Sequence, residues 1–88
     1  MRTERTRAVG IRWHPYAEIF PPMEGEAFQA FVEDVRQKGI LEPIVMLDGV
    51  VLDGRNRYLA AHELDIDYPA VEYAGDDPLG FVIARNMA

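Results

Sequence analysis

The sequence predicts an α+β fold in which a small mixed β-sheet packs with three helices. Apolar residues recur at helical intervals over about 26–38, and again over 56–64 and 78–88. Between the first two of these segments lie two short runs rich in Ile, Val and Leu, 43–47 and 50–52, which are typical of strands. With 88 residues, of which 49% are hydrophobic and 27% charged, the chain predicts one globular domain with a limited core.

The first predicted helix runs from about Glu26 to Lys38. Its apolar residues form one stripe, which consists of Ala27, Phe28, Phe31, Val32 and Val35. Gly39 follows at the position where helices often end on a left-handed residue. Upstream, Ile11 to Trp13 predict a short first strand. The prolines between that strand and the helix predict irregular backbone there.

A β-hairpin is expected after the first helix. Pro43 to Leu47 and Val50 to Leu52 form its predicted strands, and Asp48-Gly49 between them is a strong signal for a two-residue turn. We place this hairpin at the centre of the predicted sheet. Ala70 to Tyr73 predict one further short strand later in the chain.

The other two predicted helices each follow a turn. One runs from about Asn56 to Leu64, directly after Asp53-Gly54. The other begins with Asp77 as its N-cap and Pro78 at the first helical position. It meets no stop signal before Ala88, so we expect it to run to the last residue and the chain either to be part of a longer protein or to have evolved as a fragment.

The charge is uneven along the chain. The first twelve residues hold four arginines against one glutamate, and residues 1–10 are expected to form a flexible N-terminal arm. From residue 13 onward there are five basic residues and fourteen acidic ones, a net charge of −9. Such an acidic body repels the DNA backbone, so we expect any duplex DNA to bind through regions outside this chain.

Several kinds of chemistry are excluded or disfavoured. The chain has no cysteine, so it forms no disulfide, no thiolate metal site and no cysteine redox centre. No apolar run approaches the roughly 20 residues that span a bilayer, and the first residues lack a hydrophobic signal segment. We therefore expect a cytoplasmic protein that does not act at a membrane.

The chemistry concentrates in the turn Asp53-Gly54-Arg55-Asn56-Arg57, where a strand leads into a helix. Glycine lets backbone N–H groups approach a ligand closely, and the helix N-terminus adds a positive dipole end. Arg55 and Arg57 carry forked donors that suit phosphate, and Asp53 could accept from a hydroxyl or help to hold a metal. These residue types favour an anion site, although a glycine turn followed by solvated arginines would have the same pattern.

Three stretches of the chain resemble ParB N-terminal domains. Phe31 to Val45 resembles a first stretch in which a helix, a glycine and a Pro-Ile-Val strand follow one another. Val51 to Ala61 resembles a second, where a Gly-Glu-Arg-Arg turn begins a helix, and Arg85-Asn86 falls where a third has a Glu-Asn pair. The order and spacing match over residues 11–88, so this part is identified as a ParB-like N-terminal (ParB-like nuclease) domain of the ParB/sulfiredoxin superfamily.

The resemblance implies a ligand and the residues that hold it. The implied cofactor is a nucleoside triphosphate, CTP or ATP, with Mg²⁺. The implied nucleotide- or phosphate-binding residues are Asp53, Gly54, Arg55, Asn56, Arg57 and Asn86, and Asn86 is also the implied metal ligand. Arg55 and Asn56 replace a family glutamate and arginine, and Arg85 replaces the glutamate before Asn86, which counts against CTP hydrolysis. Sulfiredoxin activity is excluded because that branch needs a cysteine in this turn.

Two main classes of function stay open, and a third, weaker possibility is a degenerate protein-interaction domain that binds no small ligand. The acidic body and the missing glutamate favour a nucleotide-responsive module of a DNA-associated protein in chromosome partition, plasmid maintenance or transcription. The alternative is an enzyme of the same superfamily, either a ParB-like nuclease or a nucleotide-dependent kinase of a small metabolite. In similar proteins a helix-turn-helix region follows this domain, and we expect one beyond residue 88. The sequence also leaves open whether the chain forms a homodimer.

Overall fold

The structure is a computed structural model that describes residues 3–7 and 13–87. In these residues it contains four strands, three α-helices and one short 3₁₀ helix. In chain order they are β1 (Thr3–Arg7), the 3₁₀ helix (Pro15–Glu18), α1 (Gly25–Lys38), β2 (Ile44–Leu47), β3 (Val50–Asp53), α2 (Arg55–Leu64), β4 (Asp67–Glu72) and α3 (Pro78–Asn86). This arrangement confirms the predicted α+β fold with three helices.

The four strands form one mixed sheet in the order β1-β4-β2-β3. β1 runs antiparallel to β4, β4 runs parallel to β2, and β2 runs antiparallel to β3. The predicted hairpin turn is confirmed, because Asp48 and Gly49 have φ values of 54° and 80°, as a type I′ turn requires. The prediction that the hairpin lies at the centre of the sheet is wrong for its second strand, β3. Because β2 pairs with β4 along its other edge, β2 lies inside the sheet and β3 at the margin.

A short segment before the 3₁₀ helix covers the outer edge of β3. Trp13 forms a single parallel bridge with Val51, and the backbone N–H of His14 donates to the Val51 carbonyl at 2.6 Å. Ile11 and Arg12, the other residues of the predicted first strand, lie outside the described residues. The bridge therefore satisfies part of an edge that would otherwise be open.

Part of the N-terminal arm belongs to the sheet. The sequence predicts a flexible arm over residues 1–10, but Thr3–Arg7 pairs as β1 with Asp67–Val71 of β4. The pairing joins backbone groups, so a segment without apolar alternation can form an edge strand. Because β1 pairs with β4 from Asp67 onward, β4 also begins earlier than the predicted start at Ala70.

The core lies between the sheet and the helices α1 and α2. Its buried side chains come from both layers and are Val32, Val35, Ile40, Ile44, Val51, Tyr58, Ala60, Ala61, Tyr68 and Ala70. Of the apolar stripe predicted on α1, Val32 and Val35 are buried, Phe28 and Phe31 are half-buried, and Ala27 is exposed. The helix thus buries a narrower face than the sequence predicts.

The helix α3 begins as predicted and ends earlier. A side-chain oxygen of Asp77 accepts a backbone N–H of the first turn at 3.1 Å, which confirms the N-cap. The helix ends at Asn86, whose side-chain amide donates to the Val82 carbonyl at 2.8 Å. Met87 has left the helical conformation, with φ −100° and ψ 77°, so the predicted continuation to Ala88 is wrong at this point.

None of the helices described in the structure combines the length and apolar character needed to cross a bilayer.

Candidate functional site

A cleft of about 430 Å³ lies where three parts of the fold meet: the β3–α2 turn (residues 53–57), the loop after α1, and α3. Residues 20–23, which precede α1, form another of its walls. All six residues predicted to bind phosphate or nucleotide line this cleft, namely Asp53, Gly54, Arg55, Asn56, Arg57 and Asn86. Asn86 reaches the cleft from α3, so its position depends on the fold and not on local spacing.

Gly54 joins β3 to α2 in a conformation that suits glycine. Its φ of 105° and ψ of 27° lie in the left-handed region. A Cβ on this residue would lie 2.9 Å from Nη2 of Arg57 and 3.2 Å from Cγ1 of Ile44, so a side chain here would require both neighbours to shift. The Tyr58 N–H donates back to the Gly54 carbonyl at 2.8 Å. The preceding N–H groups, of residues 55–57, have no partner within the helix and are of the kind that bind anions.

Four charged side chains form a closed ring at this cleft. Oδ2 of Asp53 accepts from Nη2 of Arg57 at 3.0 Å and from Nε of Arg85 at 3.2 Å. Oε2 of Glu42 accepts from Nη1 of Arg57 at 2.9 Å and from Nη2 of Arg85 at 2.7 Å. We call Glu42, Asp53, Arg57 and Arg85 the charge ring. Its two carboxylates balance its two guanidinium groups.

The two carboxylates of the charge ring differ in burial. The Asp53 side chain is 10% exposed and that of Glu42 is 64% exposed. The hydrogen bond from Arg85, followed by the charges of Arg85 and Arg57, holds the pKa of Glu42 below its ordinary value. The hydrogen bond to Glu42 and the charge of Asp53 in turn raise the pKa of Arg85. Both shifts favour the charged forms of the Glu42–Arg85 pair.

Two of the predicted site residues, Asp53 and Arg57, have partners in the charge ring that the sequence does not indicate. Arg57 lines the cleft, but both ends of its guanidinium group are held by carboxylates. Asp53, expected to accept from a ligand hydroxyl or to hold a metal, accepts from two arginines. Glu42 was missed as a site residue because no local pattern links it to the turn, and Arg85 was missed because it departs from the family glutamate at its position. The one sequence signal was the replacement of the family glutamate by Arg85.

Arg55 and Asn56 connect the turn to the wall of the cleft. Nη2 of Arg55 donates to the Phe20 carbonyl, and its guanidinium carbon lies 5.5 Å from the centre of the Trp13 ring. Oδ1 of Asn56 accepts from the Met23 N–H at 3.0 Å. Both side chains therefore bind the segment before α1 to the start of α2, and so hold this wall of the cleft in position.

A metal would find few protein ligands at this site. Within residues 3–7 and 13–87, no three His, Cys, Asp or Glu side chains cluster closely enough to hold a metal ion. Asn86 lines the cleft, and its amide nitrogen is engaged by Val82. Its side-chain oxygen is the group that suits Mg²⁺, which prefers oxygen ligands and is commonly bound with substrate phosphates. A predicted Mg²⁺ would therefore depend on the oxygens of a phosphate ligand.

No family model matches this sequence, and no curated protein matches it either. Solved structures do match. The C-terminally truncated chromosome-partitioning protein ParB from Caulobacter crescentus, complexed with CTP-gamma-S, matches with a TM-score of 0.79 and 20% sequence identity, over 99% of this chain and 53% of that chain. A Pnob8-like ParB-N domain matches with a TM-score of 0.74 and 14% identity, over 97% of this chain and 37% of that chain.

These matches show that the chain has the fold of ParB N-terminal domains, as the resemblance in sequence implied. The chain spans about half the length of the first matched protein and less of the second. At such low identities the similarity defines the fold and leaves the ligand to be argued from the site.

Proposed function

We propose that this chain is a nucleotide-binding domain of the ParB type, which holds the phosphates of a nucleoside triphosphate at the β3–α2 turn. One observation carries the proposal. The Gly54 backbone, the N–H groups at the start of α2 and the guanidinium group of Arg57 line the same cleft as Asn86. The matched ParB from Caulobacter crescentus was solved with a CTP analogue, which supports a nucleotide as the ligand. In this proposal Asn86 contacts the phosphates directly or through Mg²⁺.

The same reasoning extends to the cellular role. We propose that the domain belongs to a DNA-associated protein in chromosome partition, plasmid maintenance or transcription regulation. With five basic and fourteen acidic residues from position 13 onward, the domain is a poor binder of duplex DNA by itself. DNA contacts are assigned to regions outside this chain. A gel shift of the isolated chain at physiological salt should show no discrete complex, and a tight, sequence-specific complex would overturn this assignment.

Calorimetry with CTP, ATP and GTP, with and without Mg²⁺, tests the ligand. Arg57→Ala should weaken nucleotide binding by roughly tenfold to a hundredfold, because a charge-assisted contact to phosphate is worth about 1.5–3 kcal/mol. Arg36→Ala is the matched control, since it removes the same charge from an exposed position on α1. Arg55→Ala should weaken binding less, because its guanidinium group contacts Phe20 and Trp13.

Two outcomes of the calorimetry would count against the proposal. If the wild-type chain binds none of the three nucleotides at millimolar concentration, the cleft is not a nucleotide site. If binding is present but unchanged in Arg57→Ala, the ligand lies elsewhere. Circular dichroism must show that Arg57→Ala is folded, since Arg57 also pairs with the largely buried Asp53. Chromatography of the nucleotide after incubation with Mg²⁺ shows whether the domain is also a hydrolase.

A further inference from the structure

The exposed carboxylate of the charge ring occupies donors that a phosphate would use. A single oxygen of Glu42 lies 2.9 Å from Nη1 of Arg57 and 2.7 Å from Nη2 of Arg85. Carboxylate and phosphate oxygens are alternative partners for a guanidinium fork, and they approach it at similar distances. Glu42 therefore lies where an anionic ligand could bridge the two arginines.

The two carboxylates differ in how easily each can leave the charge ring. Asp53 is the last residue of β3 and its side chain is 10% exposed, so its removal into water would require the turn itself to rearrange. Glu42 lies in the loop between α1 and β2 and is 64% exposed, so the free energy lost when its carboxylate moves into solvent is small. After that movement Asp53 would still hold Nη2 of Arg57 and Nε of Arg85. The two nitrogens that Glu42 had held, Nη1 of Arg57 and Nη2 of Arg85, would then be open to a ligand.

We propose that Arg57 and Arg85 together form a two-arginine phosphate site and that Glu42 is its built-in competitor, which a bound phosphate displaces. This inference rests on the proposed function, because it names a second binding residue and an internal competitor for the same cleft. Asp53 keeps both guanidinium groups oriented before and after the exchange. A ligand with a single negative charge only replaces the charge that leaves with Glu42, so the exchange selects for polyphosphates.

The test uses inorganic tripolyphosphate in calorimetry with EDTA present, so that Glu42 cannot act by binding a metal. Glu42→Gln keeps the size of the side chain and removes its charge. It should bind tripolyphosphate roughly threefold to tenfold more tightly than the wild type, because the competing ion pairs and the repulsion of the ligand are both lost. Glu63→Gln is the matched control. It removes the same charge from an exposed position on α2 outside the cleft, and it should change affinity little.

The second arm tests Arg85. Arg85→Ala should weaken tripolyphosphate binding by roughly tenfold or more, while Arg36→Ala, on the exposed face of α1, should not. If Arg85→Ala binds as tightly as the wild type, the two-arginine site is wrong, whatever Glu42→Gln does. Thermal unfolding of each variant confirms that the comparison is made between folded chains.

The outcomes separate this inference from the proposed function. If Glu42→Gln binds tripolyphosphate no more tightly than Glu63→Gln, while CTP binding still depends on Arg57, the competitor role is overturned and the proposed function stands. If neither the wild type nor Glu42→Gln binds tripolyphosphate or any nucleotide, both are overturned. Tighter binding by Glu42→Gln together with weaker binding by Arg85→Ala supports the inference.

Discussion

The last turns of α1 and the charge ring use the same kinds of residue in different surroundings. On α1, Lys38 pairs with Asp34 at 2.9 Å and Arg36 with Glu33 at 3.4 Å, and all four side chains are more than half exposed. In the charge ring, the carboxylate of Asp53 is 10% exposed and accepts from two arginines. Exposed ion pairs contribute little to stability because water hydrates both ions. Removal of one partner of a buried pair is more destabilising, because it leaves the other charge buried without a counter-charge.

Each of the two regions also has a glycine with positive φ. Gly39 ends α1 with a φ of 77°, and nothing lies within 4 Å of the place where a Cβ would be. At Gly54, where φ is 105°, the same place is crowded by Arg57 and Ile44. Gly39 is thus favoured by its backbone conformation alone. Gly54 is favoured by its backbone conformation and also by the close packing around it. The surroundings in the fold decide which of these applies.

The largest expected effect is the loss of Asp53. We expect Asp53→Ala to lower the free energy of unfolding by about 3 kcal/mol, because it leaves the 16% exposed Arg57 with only the exposed Glu42 as a partner in the charge ring. Asp34→Ala, which removes an exposed acid from α1, should have a much smaller effect. Urea unfolding followed by circular dichroism measures both changes. Equal losses in the two variants would show that burial makes no energetic difference between the regions.

A smaller difference is expected between the two glycines. Gly54→Ala should destabilise the fold by about 2 kcal/mol, since it adds both backbone strain and contacts at 2.9–3.2 Å. Gly39→Ala meets no neighbouring atom, but its φ of 77° and ψ of −175° lie in a region that is almost exclusive to glycine, so the strain alone should cost about 1–2 kcal/mol. The same urea experiment compares them. If Gly54→Ala loses no more stability than Gly39→Ala, then Arg57 and Ile44 can shift away at little cost and the turn is less tightly packed than its geometry implies.

The smallest expected effect is in the pH dependence of stability. The pKa of Glu42 is held below 4.5 by the hydrogen bond and charge of Arg85 and by the charge of Arg57. The stability from Glu42 is therefore present above pH 4.5 and is lost as the pH falls through the lowered pKa. The hydrogen bond to Asp34 raises the pKa of Lys38 above 10.5, so its contribution is present below that pH and is lost as the pH rises through the raised pKa.

Variants that lack one of these charges allow the stability contribution of each ion pair to be measured at low and at high pH. The difference in unfolding free energy between the wild type and Glu42→Gln should narrow as the pH falls below 4.5. The difference between the wild type and Lys38→Gln should narrow as the pH rises above 10.5. Urea unfolding over the two ranges tests this pair of trends. A difference that stays constant with pH would mean that the ion pair in question adds no stability.

Local sequence was sufficient for most of the fold because its signals act between neighbours. The Asp48-Gly49 pair predicts a turn that closes two adjacent strands, Asp77 caps the helix that it precedes, and Gly39 ends the helix that it follows. The sheet order was not predictable in this way. The edge position of β3, the pairing of Thr3–Arg7 and the early start of β4 all depend on which strand edges remain open once distant segments have paired.

For the candidate site, the sequence by itself determined a glycine between a strand and a helix, followed by two arginines. The family resemblance added Asn86, and the fold brings it into the same cleft. Asp53, four positions before Arg57, is a local partner, whereas Glu42 and Arg85 join the charge ring only through the tertiary structure. Arg57 meets Glu42 from 15 positions earlier in the chain, and Arg85 joins Glu42 from 43 positions later. Ion pairs act over a few ångströms in space and are indifferent to separation along the chain, so no local pattern could have revealed the charge ring.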